Sequence, residues 1–291
     1  NVGGSFKGLN ARVIYEDYKI QQRDLYGESM PEAIDMHFEN FYSELKYTLK
    51  IGDKLTVTPK FQYKDQQPWR SNDDAALNRD TLDDYYYGGL YSSKHIKQTL
   101  GELNINSNIS EKINLLGGIQ YYKDKGETVE DYEYTINGTT SVDFTNLSAY
   151  VQGLFKLKFA ILTVGARYNN HEQFGSSFVP RIGVTKVIDK FHTKILLSQA
   201  FRTPSIQNID LNVDIKPETT TVFEIEAGYQ LSSSMFLTAN YYNINIKDPI
   251  VYFYDDDTGL EGYDNYEKTG TSGFEIEYKY KPYDGNSFRS L

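Results

Sequence analysis

The sequence predicts an all-β protein, a transmembrane antiparallel up-and-down β-barrel, and three observations carry that prediction. Apolar and polar residues alternate at period two through run after run, the mark of strands with one oily and one wet face. The wet faces carry carboxylates, which a packed soluble core does not accommodate but a water-filled barrel interior does. The runs are joined alternately by short turns and long polar links, as in a meander whose two ends face different compartments.

The clearest alternation lies between Phe178 and Leu231. There Phe223, Ile225, Ala227, Tyr229 and Leu231 form an oily face, while Glu224, Glu226 and Gln230 share the other face with Gly228. Earlier, Phe41, Ser43, Leu45, Tyr47, Leu49 and Ile51 alternate with polar neighbours up to a turn at Gly52-Asp53-Lys54. Leu55 to Lys64 repeats the pattern, and Pro59 within it predicts an exposed edge, a bulge or a local break in pairing. Further runs span 103–109, 113–122, 147–157, 160–169, 235–247 and 273–281, and a last one begins at 287. The short links at Gly52, Ser110, Lys158, Asp189 and Ser232 fall on one end. The stretches 19–40, 65–98, 123–146 and 248–271 read as long links on the other. About a dozen strands result. Tyr121, Tyr122, Phe155, Phe159, Tyr168, Phe178, Phe191 and Phe201 cluster near run ends, as interfacial girdles do.

Composition agrees. The chain has 291 residues with 26 Tyr and 16 Phe, and no run approaches the roughly 18 apolar residues of a membrane helix. Alternating strands average to nearly neutral hydropathy, so this does not argue against a barrel. Lys and Arg total 30 against 40 Asp and Glu, without the basic patch that a nucleic-acid partner requires. Cysteine is absent, which excludes disulfides, thiolate metal sites and a cysteine nucleophile. The first residues, Asn1 to Ser5, are small and polar rather than a signal peptide, so a mature or truncated segment is expected.

Pro180-Arg181-Ile182-Gly183, Phe201-Arg202-Thr203-Pro204-Ser205 and Lys216-Pro217-Glu218 occur in this order, followed by Phe223-Glu224-Ile225-Glu226-Ala227-Gly228. In these motifs the second half of the chain resembles the TonB-dependent outer-membrane receptors. Tyr241 to Ile250 and Gly273-Phe274-Glu275-Ile276-Glu277 continue the resemblance, whereas residues before 145 match only by pattern. The resemblance implies a 22-strand barrel, an N-terminal plug and energy coupling through a TonB complex. About a dozen strands from such a design leave two edges that hydrocarbon does not tolerate. Residues 1–291 are therefore expected to be one barrel segment of a longer protein, with plug and chain ends outside it; a smaller closed barrel is the competing expectation.

No catalytic constellation is present: Ser, His and Asp occur without the Gly-x-Ser-x-Gly elbow, and the expectation is a non-enzyme with no cofactor. The four histidines have no metal-ligand spacing, and the resemblance lacks the link histidine of haem importers. The acidic pairs Asp73-Asp74 and Asp83-Asp84 and the run Asp255-Asp256-Asp257 lack an Asp-x-Asp-x-Asp-Gly calcium loop, so no metal site is expected. Trp69, Tyr85, Tyr86, Tyr87 and Tyr91 share one link and are candidate ligand contacts, with loop packing an equal alternative. Arg202 and Glu218 are expected to form a structural bidentate pair, with Arg181, Pro204, Pro217 and Glu224 completing the motif residues.

The resemblance implies uptake of a large scarce nutrient, an iron–siderophore chelate first. Cobalamin, an oligosaccharide or an uncoupled structural barrel are the alternatives. Expected partners are TonB through the absent N-terminal part, outer-membrane lipid and the nutrient chelate, without nucleic acid. The expected location is the outer membrane.

Overall fold

The computed structural model describes residues 1–25, 28–71, 94–128, 139–255, 258–281 and 288–290. From the amino terminus the strands are β1 (Val2–Phe6), β2 (Leu9–Leu25), β3 (Glu28–Tyr47), β4 (Leu49–Ile51), β5 (Leu55–Ser71), β6 (Lys94–Ser110), β7 (Ile113–Thr128) and β8 (Ser141–Lys156). They continue as β9 (Ile161–His171), β10 (Gly175–Ile188), β11 (Phe191–Arg202), β12 (Glu218–Ser232), β13 (Met235–Lys247), β14 (Ile250–Tyr254), β15 (Glu261–Asn265), β16 (Lys268–Tyr280) and β17 (Phe288–Ser290). A short helix, α1 (Ile206–Leu211), lies between β11 and β12.

Among the described residues, fifteen strands form one antiparallel sheet in chain order, with β14 and β15 paired apart from it as a hairpin. Every sheet neighbour is therefore the next element along the chain, apart from that hairpin and the small β4 piece that continues β3. This is the predicted meander. Its turns at one end are tight: Gly52 has φ 62° in the three-residue turn between Ile51 and Leu55, and Asp189 φ 49° in the two-residue turn between Ile188 and Phe191, left-handed conformations suited to short reversals.

The register puts one apolar face across the sheet. Ile225 sits opposite Ile195 and Tyr241, and Tyr241 opposite Phe274. Val151 stands opposite Ala166, and Ile119 opposite Leu103. This face is the exposed one: Phe223, Ile225, Tyr229 and Leu231 are all open, while Glu224 and Glu226 between them are sheltered. The residues most fully covered elsewhere in the sheet include Ser148, Asn146 and Asn169. An exposed apolar face and a sheltered polar one invert the soluble arrangement and suit a surround of lipid. Aromatics mark both borders of the apolar band. Phe6, Phe159 and Phe191 lie exposed at the tight turns, and Tyr121, Tyr168 and Phe178 toward the opposite end.

Of the edge, bulge or break that Pro59 predicts, the break in pairing is found. β3 pairs with β5 as far as Lys46 opposite Lys60, pairing lapses, and β4 resumes at Leu49 opposite Val57. The interruption is caught by Thr48, whose backbone N–H donates to Gly8 O at 2.8 Å. Gly8 holds φ 88°, and a Cβ there would lie 2.6 Å from Thr48 O, so only glycine fits the contact.

Strand ends away from the tight turns differ from expectation. β2 and β3 pair up to Leu25 opposite Glu28, β5 reaches Ser71, and β6 starts at Lys94, all inside stretches that read as links. Beyond the apolar band both faces are polar, so alternation vanishes although the backbone pairing continues. On β7 the exposed face passes from Ile119 and Tyr121 to Lys123 and Lys125, which face Thr145 and Asp143 of β8.

Candidate ligand-binding mouth

The sheltered face carries a polar ladder running over consecutive strands. Lys60, Glu102, Gln120, Ser148, Asn169 and Ser177 follow one another as cross-strand partners from β5 to β10. Glu102 is its hub, paired with Lys60 Nζ at 2.5 Å and accepting from Asn104 Nδ2 at 2.8 Å and Tyr150 OH at 3.0 Å. Arg167 continues the ladder, donating from Nη2 to Gln120 Oε1 and from Nε to Asn169 Oδ1, both at 2.7 Å. Ser148 Oγ donates to the same Asn169 oxygen at 2.8 Å. Gly118 makes room for the Tyr150 phenol, since a Cβ there would lie 2.6 Å from its oxygen. A second group lies on β11 and β12, where Lys194 Nζ donates to Glu224 Oε1 at 3.0 Å and His192 Nε2 meets Glu226 Oε1 at 2.8 Å.

At the end with long links the connection 203–217 folds inward over this face. Ser205 caps α1 in a capping box with Asn208, each side chain bonded to the other's backbone N–H. Ile209 and Ile215 are buried against Val142, Phe144, Phe174, Ile250 and Tyr263. Val142 and Phe144 stand opposite Gly126 and Asp124 on the sheltered side of β7, and Ile206 touches the Gly126 position. A link leaving β11 thus reaches β7, which requires the sheet to curl with the polar face inside.

Glu218 fastens the base of this link. Arg202 donates from Nε and Nη2 to its two carboxylate oxygens, each at 2.7 Å, and Ile250 N donates to Oε2 at 3.1 Å. Asn265 donates from Nδ2 to Lys216 O at 3.0 Å and Asp248 O at 2.8 Å, and accepts from Lys216 N at 2.7 Å. Asn212 Nδ2 donates to Tyr263 O at 2.9 Å. The β14–β15 hairpin is thereby tied to α1 as one lid-like unit over the mouth.

The wall is incomplete beside that unit. β10 pairs with β11 only as far as Arg181 opposite Ser198, where Pro180, lacking an N–H, would come next. A cleft of about 200 Å³ opens there, lined by Asn169, His171, Phe174, Ser177, Phe201 and Pro217. His171 is nearly buried, stacked on Phe174 at 4.8 Å, with Nδ1 accepting from Gln173 N at 3.2 Å.

Of the motif residues, Arg181 lies mid-sheet between Gly165 and Ser198, Pro204 is buried before α1, and Pro217 is half-buried before β12. Trp69 lies near the end of β5 by its backbone, while Tyr85, Tyr86, Tyr87 and Tyr91 fall outside the described residues. Asp73, Asp74, Asp83, Asp84, Asp256 and Asp257 also fall outside them. Among the described residues no cluster of three or more His, Asp or Glu side chains suits a metal ion. The features that sequence reasoning missed are α1, signalled by Ser205 and Asn208, and the β14–β15 hairpin, signalled by the β-branched and aromatic run Ile250–Tyr254.

Solved structures of similar shape include siderophore receptors and an iron transporter. The chain is similar in shape to the siderophore receptor PirA of Pseudomonas aeruginosa, with TM-score 0.68 at 15% identity over 97% of this chain and 55% of that one. It is similar to a mutant of the ferric enterobactin receptor of the same organism, with TM-score 0.76 at 13% identity over 97% and 48%. The FrpB iron transporter of Neisseria meningitidis gives TM-score 0.61 at 15% identity over 96% and 56%. The chain thus spans about half the length of these solved receptors. No curated protein matches by sequence. The family model described as "TonB dependent receptor-like, beta-barrel" matches residues 3–290. The chain belongs to the TonB-dependent receptors, as part of their β-barrel in the outer membrane.

Proposed function

We propose that this barrel segment serves an outer-membrane receptor that imports an iron–siderophore chelate, energised through TonB by a part of the protein outside residues 1–291. The observation that carries the proposal is the match of nearly the whole chain to the receptor barrel. Solved siderophore receptors and an iron transporter of similar shape support it. Binding and gating are the work of such a protein: links at the mouth capture the chelate, and the polar inner wall offers hydrogen-bonding groups along the path. Trp69, near the end of β5, and Tyr85, Tyr86, Tyr87 and Tyr91 of the β5–β6 link are the proposed ligand contacts.

The test is accumulation of radioactive ferric chelates by cells producing the intact receptor, with and without a functional TonB complex. Uptake that requires both receptor and TonB supports the proposal. Receptor-dependent uptake that persists without TonB makes the barrel an uncoupled pore, and no receptor-dependent uptake of any ferric chelate removes iron as the cargo.

A further inference from the structure

The β14–β15 hairpin presents an aromatic face whose inner end is already occupied and whose outer end is open. Ile250, Tyr252 and Tyr254 share that face with Asn265 and Tyr263, the cross-strand partners of Ile250 and Tyr252. Ile250 and Tyr263 pack on the buried Ile209–Ile215 pair, which rests on the inner side of β8. The same face therefore looks over the mouth. Tyr252 meets Tyr263 edge-on at 5.5 Å, yet it is 49% exposed and Tyr254 58% exposed. Anchoring by Asn265 and Glu218 holds this ledge in place, so its rings lose little freedom on meeting a ligand.

The sequences that connect strands at this end are strongly one-sided in charge. Residues 248–267, which hold the hairpin, contain 7 Asp or Glu and no Lys or Arg. The sequences joining strands at this end, 72–93, 129–140, 172–174, 203–217 and 248–267, together contain 18 acidic and 2 basic residues. The whole chain is only −10, so the remainder is net positive. The tight turns at the other end carry Lys7, Lys54, Lys112, Lys158 and Lys190 against Asp53, Glu111 and Asp189. A mouth with this field concentrates cations and repels polyanions before contact. Tyrosine faces add to that preference, because the ring quadrupole attracts positive groups.

We propose that Tyr252 and Tyr254 form a ligand-contact ledge and that its ligand is a cationic or neutral metal chelate rather than a polyanionic one. This rests on the iron-chelate uptake proposed above and narrows it. A ferric tricatecholate, with three negative charges, fits the field badly; a ferric trihydroxamate, neutral or carrying a free ammonium, fits it well.

The experiment measures binding of three radioactive probes to cells producing the intact receptor: a monocationic ferric trihydroxamate, a neutral one and a trianionic ferric tricatecholate. The hydroxamates should bind at least about tenfold tighter than the tricatecholate, with the cationic probe losing affinity as salt rises. Y252A/Y254A should weaken hydroxamate binding by about tenfold or more while the folded fraction, read from heat-dependent mobility, stays unchanged. The charge reversal E261K/E267K should narrow the gap between probes. Tightest binding of the tricatecholate overturns the charge assignment and leaves iron uptake standing. Hydroxamate binding unaffected in the folded tyrosine variant overturns the ledge. Failure of all three probes to bind a folded receptor overturns this inference, and the uptake assay above decides whether the uptake reading falls with it.

Discussion

Arg202 grips both carboxylate oxygens of Glu218 across the mouths of β11 and β12, two parallel bonds of 2.7 Å. The pair joins the strands on which the 203–217 link begins and ends, and Glu218 passes the connection on to Ile250 of the hairpin. Arg202 is 57% exposed on its side chain but Glu218 only 12%, so the carboxylate depends on its partners.

Removing the guanidinium leaves Glu218 sheltered and half-satisfied. R202A should loosen the link by about 1.5–3 kcal/mol, the scale of hydrogen bonds to a charged group. R202K should recover part of this, because an ammonium cannot reproduce the two-pronged geometry. Protease cleavage within 203–217 on intact cells measures it, and equal cleavage rates in R202A and the parent would show that the pair does not hold the link.

His192 lies across Gly228, its ring stacked on Phe236 at 5.1 Å and its Nε2 on Glu226. A Cβ at Gly228 would lie 1.9 Å from His192 Cε1. G228A should therefore displace the imidazole and destabilise the barrel by about 1–3 kcal/mol. In an H192A background the same change should be nearly neutral, since the obstacle is gone. Heat-dependent gel mobility of the four variants forms the double-mutant cycle.

Glu102 gathers Lys60, Asn104 and Tyr150 with its side chain only 11% exposed. E102A should cost about 3–5 kcal/mol by leaving Lys60 without its partner in a sheltered site, and E102Q should cost less. Urea-gradient unfolding of purified receptor reads both. An unchanged midpoint in E102A would mean that the ladder contributes nothing to holding β5, β6 and β8 together.

Sidedness follows from the turns. On the cysteine-free chain, T258C should react with an impermeant thiol reagent on whole cells, and S233C only after the outer membrane is opened. The opposite pattern would invert the orientation of mouth and turns.

How far the fold was legible depended on how much one face differed from the other. β12 declared itself because Phe223, Ile225 and Tyr229 face lipid while Glu224 and Glu226 do not. The tight turns were equally plain, and Pro59 announced a lapse in pairing through its missing N–H. The outer ends of β2, β3, β5 and β6 were hidden because polar residues occupy both faces there. α1 is a single capped turn or two, too short to show helical periodicity, and its Ile209 and Ile215 find their partners on distant elements. The bidentate geometry of Arg202 and Glu218 was foreseeable from charge and position. The role of Asn265, which ties the connections at Lys216 and Asp248 to β15, had no signal in its neighbourhood.

The central claim is that the odd-numbered face of β12 meets lipid and the even-numbered face meets the barrel interior. Nitroxide labels at single cysteines from 222 to 231 in the reconstituted intact receptor test it directly, by accessibility to oxygen and to a water-soluble nickel complex. Labels at Phe223, Ile225, Ala227, Tyr229 and Leu231 should report lipid, and those at Val222, Glu224 and Glu226 should lack the lipid signature, with period two throughout. Uniform accessibility along the strand, or lipid contact on the glutamate side, would contradict the barrel as described.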